Sequence, residues 1–218
     1  MKLIHASLAT LLWLSSSIPL LHAKDGAVQC AMLIYAGTKT SRCFSDEFLN
    51  SVQQKTSIAT ERRFKDVKLA GDELFTFPFV VMTGEGDFQL SQRERDNLRK
   101  YLLNGGFLLA SAGCSNADWD RSFRGEMRQV FEEGDLEPIP QSHAIYRTVN
   151  AIEQLDLAKS SGTASLEGVE HQGKLVVLYS PQGLNDTSNT SGCCCCGGNE
   201  IQNSLEINVN ILAYALLH

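Results

Sequence analysis

Residues 77–110, FPFVVMTGEGDFQLSQRERDNLRKYLLNGGFLLA, decide the fold. Phe77 to Met82 is an apolar run of strand length, and Thr83-Gly84-Glu85-Gly86-Asp87 closes it. Ser91 followed by Glu94 is a capping box, in which each side chain satisfies the other residue's orphan backbone donor. Leu98, Tyr101 and Leu102 recur at helical spacing. Gly105 and Gly106 end the helix, where a positive φ is needed. Phe107 to Ala110 follows at once as a second apolar strand. A strand, a helix and a strand joined this closely give a parallel pair, and strands without polar alternation are buried on both faces.

The pattern extends in both directions. Upstream, Val28 to Tyr35 reads as a buried strand and Ser45 to Lys55 as a helix, with Phe48, Leu49 and Val52 on one face. Asp66 to Leu69 is a short strand candidate. Downstream, Ser115 with Asp118 reads as a helix start. Trp119, Phe123, Met127, Val130 and Phe131 form its apolar stripe, and Arg121, Arg124 and Arg128 are expected to face water. Beyond Gly134 the pattern is irregular. Ala164 to Glu170 and Lys174 to Ser180 flank His171-Gln172-Gly173 as a β-hairpin. Pro181 to Gly198 is a polar loop, and Leu205 to Leu217 a final helix. The expected fold class is α/β: a three-layer sandwich with a mostly parallel sheet, plus a C-terminal β-hairpin and helix.

The chain has 218 residues, 43% hydrophobic and 20% charged, with a formal charge of −6. That apolar content suffices for a core and excludes wholesale disorder. The acidic balance, with no basic stripe, excludes nucleic acid as the main partner. Lys2, the apolar run Leu8 to Leu21 and Leu21-His22-Ala23 read as a secretory signal over residues 1–23. Residues 24–218 then form one exported domain, periplasmic or extracellular, with no membrane span after signal removal. Seven cysteines in an oxidising compartment favour disulfides, and an odd number leaves one thiol over.

Ligands of open α/β sheets bind beyond the carboxyl ends of the strands. Thr83 to Asp87, Ser111 to Asn116 and the loop after Thr38 carrying Cys43 should converge there. Cys114, between a strand and a helix, is the sharpest candidate nucleophile. Cys193-Cys194-Cys195-Cys196 is the other unusual feature. Soft thiolates suit zinc, copper(I) or an iron–sulfur centre. Successive side chains of an extended segment point to opposite sides, so a site would draw further ligands from Cys43, Cys114 or His143. The competing reading is a set of disulfides joining the quartet to the sheet end through Cys43, Cys114 or both. Asn185-Asp186-Thr187 and Asn189-Thr190-Ser191 match the glycosylation sequon and read as a polar exposed loop.

Phe77 to Gly86, Tyr101 to Ala110, Asp120-Arg121-Ser122-Phe123-Arg124 and Asn208 to Leu216 together resemble a bacterial domain-of-unknown-function family, number four-one-five-nine. The resemblance implies a fold similar to class I glutamine amidotransferases, a flavodoxin-like sandwich. By that analogy Cys114 would be the nucleophile, His143 its base and Glu85 the orienting carboxylate. The chain departs from the amidotransferase pattern. Ala112-Gly113-Cys114-Ser115-Asn116 replaces Gly-x-Cys-x-Gly, and His143 is not followed by x-Glu. The expectation is therefore an exported, non-catalytic amidotransferase-like binding domain. The alternatives are a metal-binding or thiol-redox protein built on Cys193 to Cys196 with Cys43, and a Cys114/His143 hydrolase.

Overall fold

A computed structural model describes residues 26–37, 39–40, 43–131, 136–185 and 200–218. In chain order its elements are β1 (Ala31–Ile34), α1 (Glu47–Lys55), β2 (Lys65–Lys68), β3 (Phe79–Gly84), α2 (Gln92–Leu103), β4 (Phe107–Ala112) and α3 (Ala117–Val130). Then follow β5 (Glu137–Pro138), β6 (Leu155–Asp156), β7 (Thr163–Ala164), β8 (Glu167–His171), β9 (Lys174–Ser180) and α4 (Ser204–Leu217). The main sheet has seven strands in the order β2-β1-β3-β4-β9-β8-β5. The five from β2 to β9 are parallel; β8 turns back on β9 as the expected hairpin, and β5 pairs antiparallel with β8. β6 and β7 form a separate ribbon.

The strands serve two cores because alternate residues point to opposite faces. Val80, Met82, Leu108 and Ala110 meet Leu98 and Tyr101 of α2 and Trp119 and Phe123 of α3 on one side. Phe79, Val81, Phe107 and Leu109 meet Phe48 of α1 and Ile207 and Ile211 of α4 on the other. Phe79 and Phe107 are register partners, with rings stacked 5.6 Å apart. This is the three-layer α/β sandwich.

The capping box forms in full. Glu94 accepts the Ser91 amide at 2.7 Å, and Ser91 Oγ caps the Glu94 amide. The same carboxylate accepts the Ala36 amide at 2.8 Å, so the cap also fastens the loop after β1. Three local details differ from expectation. Thr83 and Gly84 continue β3 because Ser111 and Ala112 pair with them, and tertiary pairing overrides the local turn signal. The cap of α3 is Asn116, whose side chain accepts the Trp119 amide, while Ser115 bonds elsewhere. Arg124 does not face water alone. Its guanidinium makes a two-pronged pair with Glu167 at 2.6 and 2.8 Å and a third bond to Asp120, tying α3 to β8. No helix among the described residues is long and apolar enough to cross a membrane.

Candidate functional site at the carboxyl end of the sheet

From β1 the chain steps outward to β2, then returns past β1 to β3, β4 and β9. The order reverses between β1 and β3, and a crevice is expected beyond their carboxyl ends. Here it is filled. The Tyr35 hydroxyl donates to the Thr83 carbonyl at 3.1 Å and accepts the Trp119 indole N–H at 2.6 Å. Both side chains are fully buried, and burial pushes the Tyr35 hydroxyl up, which keeps it a donor. Gly84 is required beside them, since a Cβ there would lie 2.3 Å from the Tyr35 hydroxyl.

The polar centre lies one strand over. After β4 a single 3-10 turn, Gly113–Ser115, leads into α3. Cys114 (φ 52, ψ 30) and Ser115 (φ 52) both occupy the left-handed region. That conformation costs an L-residue about 1–2 kcal/mol, so surrounding contacts must hold it. The Cys114 amide donates to Glu200 Oε1 at 3.0 Å. Its thiol donates to Glu85 Oε1 at 3.3 Å. Ser115 Oγ donates to the Gln182 carbonyl at 2.6 Å. The Asn116 side chain accepts the Gly86 amide at 3.0 Å as well as capping α3. Glu200 is buried, and Glu85 is exposed. Gly183 (φ +97) completes the ring; a Cβ on it would stand 2.5 Å from the Ala112 carbonyl.

Beneath this turn Asn185 joins three strand ends. Its side-chain oxygen accepts from Ser111 Oγ of β4 at 2.8 Å and Thr83 Oγ1 of β3 at 3.3 Å. The neighbouring Leu184 amide donates to Ser111 Oγ at 2.8 Å, and the Leu184 carbonyl accepts from Asn208 of α4 at 3.0 Å. Among the described residues, the Asn185 amide nitrogen and the Asn208 amide oxygen are buried without a hydrogen-bond partner. Asn185 is 2% exposed, which corrects the reading of its sequon as an exposed loop.

The sequence candidates separate into two groups. Cys114 and Glu85 meet; His143 does not join them. Its ring lies 5.2 Å from Tyr214, near the end of α4, and Tyr214 flanks Gly105, Phe107 and Lys174 at the amino ends of β4 and β9. His143 Nδ1 accepts the Ile145 amide at 3.2 Å, and burial lowers the ring's pKa. The Cys114/His143 pairing is thus corrected by topology: the two residues stand at opposite ends of the sheet.

Cys30 and Cys114 carry thiols, whereas Cys43 is in a disulfide. Cys193, Cys194, Cys195 and Cys196 lie outside the described residues, so the quartet as a metal or disulfide centre does too. Among the described residues no group of three or more His, Cys, Asp or Glu side chains is placed to hold a metal. Glu200, Gln182 and Gly183 were not marked in the sequence, and Asn185 was marked only as part of a sequon. The available signal was β9: paired parallel to β4, it must deliver its following residues to the same end as Cys114.

Fold and site define a three-layer α/β domain with polar, acid-lined loops at the carboxyl ends of its parallel strands. The chain belongs to the family described as Domain of unknown function (DUF4159), whose match spans residues 29–216. No curated protein matches it.

Proposed function

We propose that this is an exported, non-catalytic domain that binds a ligand or partner through the loops at the carboxyl end of its sheet. The observation that carries this reading is the pair of carboxylates on Cys114. A thiol hydrolase needs a basic or cationic neighbour at sulfur and free backbone N–H groups for a developing oxyanion. Here sulfur donates to Glu85, and the Cys114 amide is taken by Glu200. The strained turn thus presents a docking surface, with Asn185 supplying a buried donor beneath it.

Export is supported by the leader pattern over residues 1–23. Intact-mass analysis of the exported protein should find a chain starting at Lys24; retention of the leader would make the protein membrane-anchored. We also assign the partner of Cys43 to the Cys193–Cys196 quartet, a pairing that non-reducing peptide mapping tests. The functional reading is tested by hydrolysis of glutamine and of activated esters. No turnover should exceed that of Cys114→Ala, and turnover abolished by that substitution would overturn the reading.

A further inference from the structure

The amino end of the sheet carries two adjoining troughs that the proposed site does not use. One, about 380 Å³, is walled by Phe75, Phe77, Pro78 and Tyr101. The other, about 120 Å³, is walled by Phe107, Val176 and Tyr214. Gly105 and Gly106 line both, so the two troughs adjoin along this turn. Both are open along one side. Phe75, one of the large hydrophobics exposed among the described residues, lines the first trough.

Lysines mark the groove. The Lys100 ammonium sits 4.9 Å from the Phe75 ring centre, and Lys174 lines the second trough. Both are exposed, and neither has an ion-pair partner among the described residues. Lys65, 5.8 Å from the Phe77 ring centre, is already paired with Glu73. Glu170 places a negative charge on the Tyr214 flank. In a chain of net charge −6, two uncommitted cations beside an apolar groove are a local reversal of sign.

We propose that this groove docks an extended segment of a partner protein, with apolar side chains flanked by Asp or Glu. An open groove leaves too much of a small molecule wet, since small-molecule sites bury most of their ligand. A flat lipid surface does not fill recessed troughs. An extended peptide drops side chains into successive pockets, and its carboxylates meet Lys100 and Lys174.

The test is selection of a random displayed-peptide library on the mature protein, followed by fluorescence polarisation with a synthetic copy of the most enriched peptide. Acidic peptides with apolar anchors should be enriched. Lys100→Glu combined with Lys174→Glu should weaken the synthetic peptide about tenfold or more, as should Phe75→Ala. Lys68→Glu, an exposed change at the opposite end of β2, should not. Unchanged circular dichroism excludes misfolding as the cause. Absence of enrichment, enrichment of basic peptides, or binding indifferent to the groove substitutions overturns the proposal. So does binding to phosphatidylglycerol vesicles, in place of peptide, that the double lysine change abolishes. None of these outcomes bears on the Cys114 end.

Discussion

The two ends of the sheet are built from different chemistry. At the carboxyl end, Thr83, Ser111, Asn185, Glu200 and Asn208 are all buried and polar, and the chain is held in strained turns by side-chain hydrogen bonds. At the amino end, Phe79, Phe107 and Leu175 pack as hydrocarbon, the buried Tyr101 hydroxyl bonds the Phe107 backbone, and the exposed features are aromatic rings, glycines and lysines. Burying polar groups costs stability unless each is bonded, so a fold concentrates them only where position matters. The carboxyl end carries that cost, together with an Asn185 nitrogen and an Asn208 oxygen that find no partner among the described residues. The amino end keeps its features on the surface, where they cost the fold little. On our two proposals, the first arrangement is a binding surface set by the fold and the second a groove for an extended peptide.

Substitutions can break this contrast. The largest effect should come from Trp119→Ala, which removes a fully buried ring and its bond to Tyr35 at the carboxyl end. Urea unfolding should show a loss of about 3–5 kcal/mol. Gly183 and Gly105 offer a matched pair, one at each end, both at positive φ. Gly105→Ala meets nothing within 4 Å among the described residues and should cost only the backbone term, about 1–2 kcal/mol. Gly183→Ala adds a collision with the Ala112 carbonyl and should cost about 1–3 kcal/mol more. Equal losses for the two would show that the carboxyl end is not tightly closed.

Asn185→Ala strips a hydrogen-bond partner from Ser111 and Thr83 and should cost about 1–3 kcal/mol by the same method. A separate effect concerns pH and is absent at neutral pH. Cys30, at the start of β1, is fully buried, and burial pushes its thiol up to about 12. An unfolded thiol titrates near pH ~8.5. The folded chain therefore holds that proton longer. The stability this contributes is complete below pH ~8.5 and is lost as pH rises toward 12, at up to about 1.4 kcal/mol per pH unit. Cys30→Ala should flatten that alkaline decline, measured by denaturant midpoints across the range.

The layered fold was legible because it is written in local patterns: apolar runs, the Ser91–Glu94 box and Gly105-Gly106 each act within a few residues. The end of β3 was not, because Thr83 and Gly84 carry turn chemistry and become strand only through Ser111 and Ala112. Half of the candidate pairing was legible. Glu85 and Cys114 follow neighbouring parallel strands, so topology alone brings them together. His143 lies in an irregular stretch whose course no periodicity reveals, and the chain carries it to the other end. Glu200 was hidden for a similar reason. It lies beyond a long polar loop, and backbone bonds from Ala158 to Glu200 and from Ile201 to Gly183 return it to Cys114.

The claim that Cys114 belongs to a binding surface rests on its backbone amide being occupied. Hydrogen exchange at the Cys114 amide, followed by NMR in the wild type and in Glu200→Ala, measures this directly. The account predicts slowed exchange in the wild type and faster exchange once the carboxylate is removed. A Cys114 amide that already exchanges freely in the wild type, and is unchanged by Glu200→Ala, would leave that N–H open to an oxyanion and contradict the account.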